Sequence, residues 1–256
     1  MKPVLFHLGP FPVYSFGAVI ALGVFLSLFL IGRKSRRTGF PATPEIAADL
    51  VFVTLFSGFA GGRLFYIFEN LSWYRHAPLR IFAIWEGGLI FYGGVAGSLA
   101  GLFLFMRIKK IPFLKGLDFL IPYEALVHAF GRIGCFLNGC CAGKACNLPW
   151  AVTVEGGARL HPVQLYEAVF NFLLFLFLNA RYEKKKFDGE IISLYFMIYA
   201  AGRFIFEFYR TNPGWILSWN QWESLVVFLV GLALSFRGRR PRNLGDFSSS
   251  LRDSSK

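Results

Sequence analysis

Charge is scarce in this chain. Asp, Glu, Lys and Arg make up 16% of its 256 residues, whereas soluble domains carry roughly a quarter. Acidic residues are the scarcest, 15 against 27 basic ones. Low charge with 55% hydrophobic residues and 18% aromatics excludes a disordered or collagen-like chain and disfavours a soluble enzyme of ordinary composition. No internal repeat is visible, which removes support for an inverted-repeat transporter. A small-residue cleavage site is also lacking after the first apolar run, and Pro3, Pro10 and Pro12 precede that run. It is therefore read as a retained helix and not as a signal peptide.

What the chain does have is long apolar runs. A membrane-spanning helix needs about 20 largely apolar residues. Seven stretches qualify: 13–32, 46–68, 89–106, 119–138, 163–180, 191–208 and 219–236. The fold class expected is thus all-α, a polytopic bundle of seven transmembrane helices over residues 1–236. Residues 237–256, rich in Ser and Arg, read as a basic, disordered tail.

The net charge of +12 follows from the same layout. Eighteen Lys and Arg fall in the loops 33–37, 107–115 and 181–186 and in the tail, six in the alternate loops, and Arg63, Arg132 and Arg203 inside spans. Positive-inside asymmetry then sets the N-terminus outside and the C-terminus inside. The charge needs no nucleic acid to explain it; the tail is suited to anionic membrane lipids.

Ionisable residues inside a span cost about 2.5–3.5 kcal/mol each, so each is a functional candidate. Arg63, Arg132 and Arg203 each lie five or six residues from the outer end of a span, roughly 8–9 Å deep at 1.5 Å per residue. Glu167, Glu223, Asn138, Gln164, Tyr166, Tyr92 and Tyr14 fall near the same level. Arg203, Glu207 and Arg210 share a helix face, with Glu207 placed to neutralise and hold the two arginines; Glu124, His128 and Arg132 form a second stripe. Guanidinium forks suit phosphate, and an apolar surround suits a phospholipid whose tails stay in the bilayer. An internal salt bridge that only helps packing is the alternative for any single pair. Arg63, after Gly61 and Gly62, reads equally as a packing anchor or a lipid contact. His128 reads more simply as structural, and His161 caps a helix or faces the site. Gly93, Gly97 and Gly101 recur every four residues, which favours close helix packing.

All four cysteines lie in Cys135-x4-Cys140-Cys141-x4-Cys146. This is not the paired CxxC spacing of a zinc ribbon, and no metal or other cofactor is expected. A disulfide, for instance Cys141 to Cys146, or free thiols are the options. Around them runs Gly131-Arg132-Ile133-Gly134-Cys135-Phe136-Leu137-Asn138-Gly139, then Gly143. Glycines beside an arginine near a helix end let backbone and guanidinium approach one ligand together.

With His161-Pro162-Val163-Gln164-Leu165-Tyr166-Glu167, Gly202-Arg203-Phe204 through Glu207 and Arg210, Gly61-Gly62-Arg63, and Trp85-Glu86-Gly87-Gly88 through Gly93-Gly94, these motifs span nearly the whole chain. Together they resemble the prolipoprotein diacylglyceryl transferases of the bacterial inner membrane. The resemblance implies an enzyme that moves a diacylglyceryl group from phosphatidylglycerol to the thiol of a lipobox cysteine in a secreted prolipoprotein, releasing glycerol phosphate. It implies lipid-phosphate binding by Arg132, assisted by Arg203 and Arg210 with Glu207 ordering them. It also places Asn138, Gly143, Gln164 and Glu167 in or near the site. Many members have His where this chain has Tyr92, Asn at Cys135, an acidic residue at Cys140 and Tyr at Phe16. The base is therefore open between Tyr92 and Glu167. A lipid or anion transporter using the same arginines, and a membrane scaffold, are the competing readings.

Overall fold

The computed structural model describes residues 3–9, 11–40, 43–76, 78–83, 87–153, 157–210 and 217–239. Lys2, the Trp85-Glu86 pair and tail residues 240–256 lie outside the described residues. The chain starts with an antiparallel hairpin, β1 (Val4–Leu8) and β2 (Phe11–Tyr14). Helix α1 (Ser15–Thr38) ends on Gly39, whose φ of 64° closes the helix in the left-handed conformation that glycine adopts without strain. Helix α2 (Pro44–Glu69) begins where the Thr43 hydroxyl accepts the Ile46 amide and Pro44 occupies the first turn. A short helix α3 (Leu71–His76) and a 3-10 turn (Pro78–Phe82) lead to α4 (Phe91–Ile108) and α5 (Phe113–Leu137). A two-residue hairpin, β3 (Val152–Thr153) with β4 (Arg159–Leu160), precedes α6 (Val163–Tyr182), α7 (Glu190–Arg210) and α8 (Trp219–Arg239).

Each of the seven expected apolar stretches thus coincides with a helix. Five of them, α1, α2, α4, α6 and α7, are long and apolar enough to cross a membrane. Helices α5 and α8 have the length, 25 and 21 residues, but carry more polar residues. In α5 these include Asp118, Glu124, His128 and Arg132. The packing makes that tolerable, because α5 runs between α1, α6 and α7 and also touches α4. Asp118 is fully buried there and Arg132 and His128 are largely covered by protein, while Glu124 stays about half exposed beside His128. Outer helix faces show the reverse of a soluble protein: Phe25, Phe56, Leu104 and Leu229 are all more than half exposed. A polytopic all-α membrane bundle accounts for both.

Helices α2 and α4 form the closest pair. A Cβ on Gly61 would fall 2.7 Å from the Gly97 Cα, and one on Gly97 would fall 2.8 Å from the Gly61 Cα. The small-residue row therefore does packing work, and Ser98 Oγ adds a hydrogen bond to the Thr54 carbonyl at 2.9 Å. One core cluster, Leu50, Leu102, Met106, Leu117 and Ile192, joins this pair to α5 and α7. The larger core joins α1, α5, α6 and α7 through Ile31, Phe119, Leu126, Leu178 and Ile191.

The bundle end that holds the N-terminal ends of α5 and α7 is fixed by Asp118, which is fully buried. Its carboxylate accepts the amides of Gly189, Ile191 and Ile192 at 2.8, 3.0 and 3.1 Å, and Lys185 Nζ at 2.8 Å. It therefore caps the start of α7 from α5, satisfying amides that have no partner within the helix.

Candidate active site

The C-terminal ends of α5 and α7 and the N-terminal ends of α6 and α8 converge at the other end. Helix α6 starts straight after Pro162, which cannot donate an amide and sets the first turn. One face of it, Gln164, Glu167, Ala168, Asn171, Leu174 and Phe175, is buried. That spacing of three and four aims Glu167 into the bundle, where its side chain is 4% exposed.

Glu167 bridges two helices. One carboxylate oxygen stands 2.7 Å from Arg132 Nε on α5, and the other 3.5 Å from Arg210 Nη1 at the end of α7. Beside it, Arg203 Nη1 meets Glu207 Oε2 at 2.6 Å. The second Glu207 oxygen accepts from Ser218 Oγ at 3.2 Å and Asn220 Nδ2 at 2.9 Å. Helical spacing put Arg203 beside Glu207, but Arg210, expected on the same glutamate, forms its ion pair with Glu167 on α6. Arg203 and Glu167 line one small cavity with His128, Asn171 and Tyr199, so the two ion pairs adjoin. Three guanidinium groups against two carboxylates leave the cluster one positive charge in excess.

Gln164 Nε2 donates to the Cys140 carbonyl and so ties the cysteine loop to α6. Asn138 is the exposed C-cap of α5, and Gly139, with φ 75°, turns the chain out of the helix. Gly143 is buried, its amide bonded to the His161 carbonyl at 2.9 Å. A Cβ there would strike Val163 and the Tyr209 carbonyl. His161 packs edge-on against Tyr166 and Tyr209, and Tyr166 Oη accepts Trp150 Nε1 at 2.7 Å. All four thiols are free. Burial pushes the Cys141 thiol up, the contact with Cys140 adds to this, and Arg210 and Arg132 pull only part of the way back.

Two candidates stand apart from the cluster. The five guanidinium N–H groups of Arg63 go to the backbone carbonyls of Arg80, Ile81, Ala83, Gly87 and Gly88. Of its two sequence readings, this geometry matches the anchor. Tyr92, in the first turn of α4, is 56% exposed, and its hydroxyl lies 3.4 Å from Glu223 Oε2 on α8. His128 Nδ1 is 3.7 Å from Glu124 Oε1, as their stripe predicts.

Sequence reasoning missed Ser218, Asn220 and Asn171. A signal for Ser218 was present. Ser218 and Gln221 exchange hydrogen bonds as a capping box, with Ser218 N to Gln221 Oε1 at 3.0 Å and Gln221 N to Ser218 Oγ at 3.3 Å. Asn171 lies one turn beyond Glu167 and donates to its carbonyl at 2.8 Å.

The family model for prolipoprotein diacylglyceryl transferase matches residues 3–237. The chain belongs to that family. Among curated relatives, the phosphatidylglycerol–prolipoprotein diacylglyceryl transferase of Clostridium tetani is 36% identical over 241 residues, covering 91% of this chain and 96% of the relative. That of Geobacter sulfurreducens is 36% identical over 246 residues, covering 92% and 94%. That of Bordetella parapertussis is 32% identical over 254 residues, covering 94% and 97%. The matched range holds every residue of the arginine–glutamate cluster. The Arg132, Glu167, Arg203, Glu207 and Arg210 side chains gather at one end of the bundle, where four helix ends meet.

Proposed function

We propose that this chain is a phosphatidylglycerol–prolipoprotein diacylglyceryl transferase of the bacterial inner membrane. It has seven transmembrane helices within residues 1–236, the N-terminus outside, and residues 237–256 as a basic cytoplasmic tail. The observation that carries the proposal is the Arg132–Glu167–Arg210 bridge beside the Arg203–Glu207 pair. Its excess positive charge matches the single negative charge of a phosphodiester lipid.

In this reading phosphatidylglycerol places its phosphate against Arg132 and Arg203, with Arg210 at the rim. The lipobox cysteine of a prolipoprotein attacks the glyceryl carbon that bears the phosphate oxygen. The carbon–oxygen bond breaks, a thioether forms, and glycerol phosphate leaves with its negative charge rising as the bond lengthens. Guanidinium groups already fixed by Glu167 and Glu207 stabilise that charge without reorganising in the transition state. Holding lipid and peptide together removes an entropic barrier.

The attacking species is a thiolate. Both oxygens of Glu167 face arginines, which supports a positioning role. Tyr92 is the remaining candidate among the two for handling the thiol proton, with Glu223 next to its hydroxyl. Gln164, Gly143 and Asn138 shape the loop that follows α5, and Arg63 holds residues 80–83 and 87–88 in place. Burial disfavours the Cys141 thiolate, in line with the peptide supplying the nucleophile.

The test is to mix purified protein, phosphatidylglycerol and a lipobox peptide in detergent. The peptide should gain the mass of one diacylglyceryl group while glycerol phosphate is released, and Arg132→Ala should abolish both. Lipid binding without product, in folded protein, would refute the transferase and favour a transporter.

A further inference from the structure

The cysteine segment has a geometry that its spacing did not predict. Cys135 is in the last turns of α5, while Cys140 and Cys141 follow the turn at Gly139. The Sγ atoms of these three all lie within 4.8 Å of one another. Cys140 and Cys141 approach to 3.5 Å between sulfurs, and Cys140 Sγ also lies 3.6 Å from the Cys135 carbonyl. Consecutive side chains normally diverge. Here Cys141 has φ of 66°, a left-handed conformation unfavourable for a residue with a Cβ, and this turns its thiol back beside that of Cys140. Cys146 is not a member of the group, since its amide pairs with the Arg159 carbonyl on the β4 side.

We infer that Cys135, Cys140 and Cys141 form a binding site for a thiophilic divalent cation of the zinc class. Zinc–sulfur bonds of about 2.3 Å put tetrahedral ligand sulfurs about 3.8 Å apart. Closing the trio onto one ion therefore takes movements of about 1 Å or less. Three ligands leave a fourth tetrahedral position, and exposed Cys141 gives it access to solvent. Binding exchanges protons for the ion: three thiols and one M²⁺ give a tris-thiolate complex of charge −1 and three released protons. Arg132, one turn before Cys135 on α5, and Arg210 bring positive charge toward that anion, against the effect of burial. The ion would pin the end of α5 to the loop whose Cys140 carbonyl is held by Gln164. Soft thiolate donors select such ions over magnesium or calcium.

The experiment uses full-length protein, reduced and purified in detergent without air, and titrated with Zn²⁺ and with Cd²⁺ as the spectroscopic probe. One equivalent should bind, with a thiolate-to-cadmium ultraviolet band, proton release, and protection of three thiols from alkylation. Cys135→Ser, Cys140→Ser and Cys141→Ser should each weaken binding by about 100-fold or more, since loss of even an outer hydrogen-bond partner costs 10–100-fold. Cys146→Ser should bind as the unmodified chain does. Absence of the band in the reduced chain, equal binding by a Cys140/Cys141 double serine variant, or a requirement for Cys146 would each overturn the site. The alkylation and proton-release measurements need no variant, so they decide the matter even where a substitution impairs folding.

Discussion

Replacing Glu167 by Gln separates two roles for this carboxylate, arginine holder or proton acceptor. The substitution keeps shape and volume but removes the charge that faces Arg132 at 2.7 Å and Arg210 at 3.5 Å. An almost fully buried partner is lost, and breaking such a pair destabilises a protein by about 3–5 kcal/mol. The phosphodiester itself can supply part of the missing negative charge, so lipid binding should persist or tighten. Turnover should not persist, because both guanidinium groups lose the support that fixes their position. A displacement of about 1 Å costs about 100-fold in rate, equal to about 2.7 kcal/mol of transition-state stabilisation. The expected result is therefore kcat down about 100-fold, KM for phosphatidylglycerol unchanged or lower, and a pH–rate profile of unaltered shape. Glu167→Asp should be impaired too, since a shorter side chain cannot span both arginines. The assay is product formation by mass spectrometry across pH, with a melting curve to show that the variant is folded. Near-normal turnover would refute the positioning role. Loss of the limb of the profile that reports a base would return Glu167 to proton transfer.

Tyr92→Phe should lower turnover more than lipid binding, measured as kcat against KM for phosphatidylglycerol; equal turnover would remove the hydroxyl from the reaction. Arg63→Ala removes the guanidinium from five backbone carbonyls, of which Arg80's keeps the Ala83 amide, so proteolysis near residues 80–83 should accelerate, while a change confined to lipid affinity would contradict the anchor role. Lys185 supplies a pH test at the opposite end of the bundle. Burial lowers its proton affinity, but hydrogen bonds from its ammonium group to Asp118 and Asp188 more than offset this, and its pKa is raised above 10.5. A raised pKa means that its contribution is complete below the unfolded value, about 10.4, and fades as pH climbs through the folded one. Melting temperatures of the unmodified chain and Lys185→Met should thus differ by a constant amount from pH 6 to 9, reflecting about 1.5–3 kcal/mol, and converge above about pH 10.5. A gap that widens with alkali would reverse the sign.

Residue order alone determined the helices and the depth of the charged groups, because apolar run length and helical period are local properties. It placed Glu207 beside Arg203 and the small row of α4 at a close contact for the same reason. The bridge of Glu167 to two other helices was not legible, since a side chain's partner across a bundle depends on how helices rotate and cross. Arg63 shows this most directly. In sequence it resembles Arg132 and Arg203, an arginine at the same depth. In the fold its guanidinium group is filled by carbonyls from a segment that passes over it. The cysteines show the converse, a spacing that fits no familiar metal motif and three thiols brought together by one left-handed residue after a glycine turn. Sequence therefore decided that the chain enters the membrane and which polar residues go with it. Tertiary structure decided which of those charges meet, because pairing inside the bundle is set by packing between helices and not by position along any one of them.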